Sequence, residues 1–161
     1  MTAVLQELIP RISDPRNLDA SVEEVFGMML GMECRRTAAT DAHAGDSVCA
    51  VVGFGGVLTG ACIVRAAAES ACKIAGRMTG SDIAEIDATV LDGLGELCNM
   101  LAGSWKGRIP ELAAHCALSV PAVITGRNYN LHMQAPKFEL RHLYCAEEIQ
   151  FEVTIVCDGL R

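Results

Sequence analysis

SVCAVVGFGGVLTGACIV, residues 47–64, runs 18 residues without a charge. That is barely the length of apolar chain a helix needs to cross a bilayer. The residues argue against a span. Gly53, Gly55, Gly56 and Gly60 interrupt the run, Ser47 and Thr59 are polar, and its valines and isoleucine are β-branched, which suits strands. Two β-rich halves meeting at Gly55-Gly56 predict a hairpin closed by a glycine turn. No membrane partner is expected.

Upstream, Glu7 and Arg11 lie within the apolar N-terminal stretch and no small-residue cleavage site follows, which excludes a signal peptide. Pro10 and Pro15 break residues 1–16 into a piece expected to be loosely attached. A helix is predicted over Leu18–Leu30, capped by Asn17 or Asp19. A strand over 32–38 and a polar turn, DAHAGD, lead into the hairpin. Downstream, AAAESACKIAGRM predicts an alanine-rich helix that stops at Gly80. A second helix should run from Asp87 to Lys106 and on towards Pro110. The pattern then turns to strands: HCALSV, AVITGRNYNLHMQ, FELRHLYCA and EIQFEVTIVC, the last alternating over Ile149, Phe151, Val153 and Ile155. Helices and antiparallel strands mix without a βαβ rhythm. The fold class is therefore α+β, helices packed on one mainly antiparallel sheet, with residues 1–161 as one domain.

Composition narrows the function. The chain is 51% hydrophobic and 20% charged but has only one Trp, two Tyr and four Phe, so its core must be aliphatic. A net charge of −7 argues against nucleic acid or an anionic membrane as partner. The eight cysteines contain no C-x-x-C pair, and the four histidines (His43, His115, His132, His142) are dispersed. Buried thiols in a reducing cytoplasm fit this better than disulfides or a zinc site. No metal or cofactor of the chain's own is expected.

Within the second helix, LDGLGELCNMLAG (91–103) carries three glycines, each costing a helix interior about 1 kcal/mol relative to alanine. At about 100° per residue, Val90, Leu94, Leu97, Leu101 and Trp105 share one stripe, the buried side. Asp92, Glu96, Asn99 and Gly103 gather within about 60° on the opposite side, as i,i+3 and i,i+4 neighbours. One reading is a solvated face. The other is a docking face, favoured by the lack of a pairing cation before Lys106 and by the glycines, with Gly103 leaving an open floor beyond Asn99.

Asp92-x3-Glu96-x2-Asn99, followed after 21 residues by Pro121, resembles the signature of the CheC/CheX/FliY family of chemotaxis phosphatases. GELCNMLAG and VPAVITGR fit the resemblance, and the order of elements is CheX-like over nearly the whole chain. A shift of 73 residues lays LDASVEEVF (18–26) on LDGLGELCN (91–99), matching Asp19 to Asp92 and Glu23 to Glu96, while Phe26 stands where Asn99 would be. CheC-like members are expected to have two active helices and CheX-like members one. With its amide lost and Phe26 read as core, the first copy leaves one site per chain.

The resemblance implies a phosphatase acting on the aspartyl phosphate of a CheY-like response regulator, with Glu96 and Asn99 catalytic and Asp92, Gly103 and Pro121 supporting, Pro121 as a structural residue. Asn99 is neutral and can only position by hydrogen bonding, so it would align the attacking water. Glu96 would pair with the regulator's active-site lysine. Mg²⁺ would belong to the regulator. A free cytoplasmic homodimer, sheets paired edge to edge and not built into the motor, is also implied. Two other readings stay open: Asp92 and Glu96 as metal ligands for hydrolysis, and a non-catalytic module that docks a regulator or another partner.

Overall fold

The computed structural model describes residues 3–38, 45–134 and 136–161. The first helix, α1 (Ala3–Ile12), is continuous through Pro10 and leads into α2 (Pro15–Leu30). Asp14 caps α2 by accepting from the Arg16 N–H, and Pro15 occupies the first turn, where a missing N–H costs nothing. The helix thus begins one turn before the expected Leu18, and Asn17 and Asp19 are freed for other work. Nor is the N-terminal piece loose: Leu8 and Ile12 are buried in the core.

Short strand β1 (Arg35–Thr37) follows, and the polar turn DAHAGD falls largely outside the described residues, His43 with it. The predicted hairpin is present as β2 (Asp46–Gly56) and β3 (Leu58–Ala67), paired from Ser47↔Ala67 to Phe54↔Gly60. Its turn lies one residue later than expected, at Val57. Gly56 there has φ 121, and a Cβ on it would stand 2.3 Å from the His115 carbonyl oxygen, so only glycine fits.

Helix α3 (Ala68–Thr79) ends at Gly80 in the left-handed conformation, as predicted. Next come α4 (Ala88–Gly107) and a short helix absent from the sequence reading, α5 (Pro110–His115), which Pro110 starts. Strands β4 (Cys116–Leu118), β5 (Ala122–Arg127), β6 (Phe138–Ala146) and β7 (Ile149–Leu160) complete the chain. β5 is shorter than the predicted strand over 122–134. Asn128, at φ 54, turns the chain back so that Tyr129 lies over Gly126 and its ring stacks on Arg65.

Among the described residues one antiparallel sheet has the order β1-β6-β7-β3-β2-β4, with β5 also paired to β2. Strand alternation divides its side chains. Val48, Ala50, Val52 and Phe54, with Cys62, Val64, Phe151, Val153 and Ile155, face the helices and form the main, largely aliphatic core. Cys49, Ala61, Ile63 and Val156 point the other way and are covered by Tyr129 and Met133. Phe26 is fully buried and stacks on Phe151 at 4.4 Å, a core residue as expected. The eight cysteines are free, and burial pushes the Cys34 thiol up to about 12 and Cys49 to about 11, so both stay protonated.

Candidate functional site

α4 is fixed from beneath. Asp87 accepts from the Val90 N–H at 3.0 Å as its N-cap, and Val90, Leu94, Leu97, Leu101 and Trp105 are fully buried. Trp105 packs on Phe54 with centroids 5.4 Å apart. The Cys98 thiol reaches the carbonyls of Ala50 and Cys62 at 3.5 and 3.4 Å, pinning the helix over β2 and β3. Its C-terminal end is tied to α2 by Ser104 Oγ to Glu24 at 3.2 Å, by the Arg108–Glu24 ion pair and by Arg108 Nε to Ser21 Oγ at 3.0 Å.

The glycines separate into two kinds. A Cβ on Gly93 would lie 3.2 Å from that of Ala75, so this glycine lets α3 and α4 approach. On Gly95 it would meet Pro121 and Val123 at 3.4 Å, and Gly95 is buried beneath the β4–β5 connection. Both are packing glycines, which corrects the view that the glycines as a group clear a partner's way. Gly103 differs: the nearest atom to its Cβ position is Leu118 Cδ1 at 3.9 Å, and the space is open.

The polar row stands clear of the fold. Asp92 and Glu96 are exposed and Asn99 is half-buried. None of the three side chains has a hydrogen bond or ion pair to another described residue. Lys106, the one cation in line with them on α4, spends its ammonium on the Ala113 carbonyl at 3.2 Å. At 1.5 Å rise per residue, Asn99 lies about 4.5 Å along the axis from Glu96 and about 10.5 Å from Asp92. No hydrogen bond joins Asp92 to Glu96, and the cap of α4 belongs to Asp87. Pro121 comes to this region from the strand side, set against Gly95 on the flank of the row.

The arrangement is a ridge, suited to entering a partner's pocket rather than enclosing a small molecule. A cleft of about 620 Å³ lies elsewhere, between α2, α3 and the β6–β7 turn, lined by Lys73, Arg77, Glu147 and Glu148. Among the described residues no three His, Cys, Asp or Glu side chains come together as a metal would need. No helix of the described residues is long and apolar enough to cross a membrane.

The matching copy on α2 is used differently. Asp19 Oδ1 accepts from the Tyr144 hydroxyl at 2.7 Å and sits 3.3 Å from His142 Nδ1, while Arg36 lies 3.6 Å from its other oxygen. The residue aligned with Asp92 is thus committed to the structure, and the one aligned with Asn99 is Phe26, within the core.

The family model described as chemotaxis phosphatase CheX matches residues 48–140, which include all of α4 and the β4–β5 connection. The chain belongs to the CheX family. A Thermotoga maritima relative named CheY-P phosphatase CheX is 28% identical over 118 residues, covering 71% of this chain and 76% of that protein. CheX folds also resemble the structure. A chemotaxis protein CheX from Desulfovibrio desulfuricans superposes with a TM-score of 0.72 at 22% identity over 88% of this chain and 97% of that one. The CheX-CheY-BeF3-Mg²⁺ complex from Borrelia burgdorferi gives 0.75 at 19% identity over 92% and 99%.

Proposed function

We propose that this CheX-family chain is a phosphatase for the aspartyl phosphate of a CheY-like response regulator, acting through Glu96 and Asn99. The observation that carries the reading is the row of polar side chains on α4 with no hydrogen-bond or ion-pair partner among the described residues. Unpaired amide and carboxylate groups on a rigid ridge are available to another molecule at no internal cost. The names of the relatives support the substrate: a CheY-P phosphatase in Thermotoga and a CheX in complex with CheY, BeF3 and Mg²⁺ in Borrelia.

Asn99 enters the regulator's active site and holds a water in line with the phosphorus, its neutral amide orienting the water without taking its proton. The closest parallel is the glutamine that orients water in GTPases. Water oxygen bonds to phosphorus, the bond to the aspartyl oxygen breaks, and carboxylate and inorganic phosphate result. The Mg²⁺ belongs to the regulator and neutralises charge on the phosphoryl group. Glu96, one turn before Asn99, pairs with the regulator's lysine and sets the register. Asp92 lies farther along the row and has a supporting role, as do Gly103, which leaves room beyond Asn99, and Pro121, which buttresses the flank of α4. The chain works in the cytoplasm as a homodimer joined through a sheet edge; among the described residues β5 pairs only with β2 and lies at an edge of the sheet.

The test is decay of phosphoryl group on a regulator from the same genome, with and without the protein. Wild type should accelerate it. Asn99→Ala should lose about a hundred- to a thousandfold of that acceleration, the scale that orientation can supply, with binding largely kept. Glu96→Ala should weaken binding as well as rate. Wild-type activity in Asn99→Ala would falsify the mechanism.

A further inference from the structure

Among the described residues Val120 is the most exposed of the large apolar side chains, at 86%. It sits in the excursion where the chain leaves β4 and returns as β5, both paired to the same edge of β2. That excursion runs beside α4. Leu118 is 3.9 Å from the Cβ position of Gly103, and Pro121 is 3.4 Å from that of Gly95. Asn99 lies one turn from each glycine, about 6 Å along the axis. Val120, between Leu118 and Pro121, therefore lies beside the stretch of α4 between Gly95 and Gly103, at whose middle Asn99 stands.

The backbone that presents it is held at both ends. Ser119 N–H donates to the Gly53 carbonyl at 2.9 Å, and Ser119 Oγ accepts from the Gly53 N–H at 2.8 Å and donates to the Val120 carbonyl at 3.1 Å. Pro121 is seated on Gly95. A β-branched side chain on such a backbone has little freedom left to lose when it is covered. Sheet edges are usually protected with charge, yet here the edge beside the polar row carries Val120 and, farther on, Ile124 at 42% exposure.

We infer that Val120 is a specificity-determining contact for the phosphorylated regulator: it rests on an apolar patch bordering the phosphoaspartate pocket that Asn99 enters. The inference rests on the reading of Glu96 and Asn99 as the site that engages the regulator. It adds what kind of regulator fits, one with an apolar rim on the side of the pocket facing the β4–β5 excursion. A regulator with a charge at that rim would leave the charge desolvated against Val120 and is rejected.

The experiment measures kcat and KM for the regulator phosphorylated with a small-molecule donor, using wild type, Val120→Ser, Val120→Ile and Asn99→Ala. Complete burial of a valine corresponds to about ten- to a hundredfold in affinity. A partly covered rim residue should raise KM roughly tenfold in Val120→Ser, with kcat within about twofold, and Val120→Ile should restore KM. Thermal melting and sedimentation of each variant accompany the kinetics. If Val120→Ser leaves KM unchanged while Asn99→Ala is inactive, the inference fails and the proposed function stands. A change of sedimentation in Val120→Ser would assign the residue to a contact between copies and overturn the inference equally. Full activity in Asn99→Ala removes both.

Discussion

Gly103 is where a solvated and a docking face of α4 diverge most sharply. On a merely solvated face, replacing it should help: the glycine costs the helix about 1 kcal/mol relative to alanine and less relative to leucine. Nothing lies closer to its Cβ position than Leu118 Cδ1 at 3.9 Å, so a longer side chain can leave towards solvent without strain. On a docking face the same side chain stands beside Asn99 and keeps the ridge out of the pocket. Gly103→Leu should therefore melt at or above the wild-type temperature yet lose about tenfold or more in phosphatase rate, a convergence of two assays that neither a folding defect nor a neutral surface would produce. Raised melting temperature with wild-type rate would remove Gly103 from the site. Gly93 and Gly95 carry no such expectation, since Ala75 and Pro121 already occupy their space. Spacing alone could not separate these roles, because it places residues around one helix and says nothing of what packs against it.

Among the elements, α2 and α4 read as repeats in sequence and have diverged in use. Asp19 on α2 holds Tyr144 and His142 of β6, with Arg36 of β1 also within reach. The pairing of Asp19 with Asp92 was visible at a shift of 73 residues. Its function was not, because Tyr144 and His142 are 125 and 123 positions distant and only the sheet brings them near. The network makes a pH prediction. Burial lowers the His142 pKa below the ordinary 6.5, outweighing the Asp19 carboxylate, which acts in the opposite direction, while Arg36 adds to the lowering. Its folded pKa being the lower, the unfolded chain binds the proton more readily. The stability this histidine contributes is complete above about pH 6.5 and falls as pH drops towards its folded value. Denaturant midpoints should decline between pH 7 and 5, and His142→Asn should decline less. Equal slopes for the two proteins would place the titration elsewhere.

For the whole molecule, the sequence was most legible where patterning is local and repeated. The two β-rich halves of 47–64 with their glycine turn, the period-2 alternation over Ile149, Phe151, Val153 and Ile155 and the stop at Gly80 each correspond to an element of the structure. It was least legible where prolines punctuate. Pro10, Pro15 and Pro110 suggested breaks, but Pro15 and Pro110 occupy first turns and Pro10 is accommodated near the end of α1. The residues around Pro10 consequently looked detached. In the fold, Ile12 is fully buried, Arg11 pairs with Glu111 of α5, and Asn17 Nδ2 donates to the Arg11 carbonyl at 3.1 Å. The consequence can be measured. Ile12→Ala removes a buried side chain and should cost about 2–4 kcal/mol in urea unfolding, with an unchanged m-value. Arg11→Ala, at an exposed pair, should cost less than about 1 kcal/mol. Were α1 a loose appendage, both substitutions would leave the unfolding midpoint where it is, and the helical layer that carries α4 would hold together without its first member.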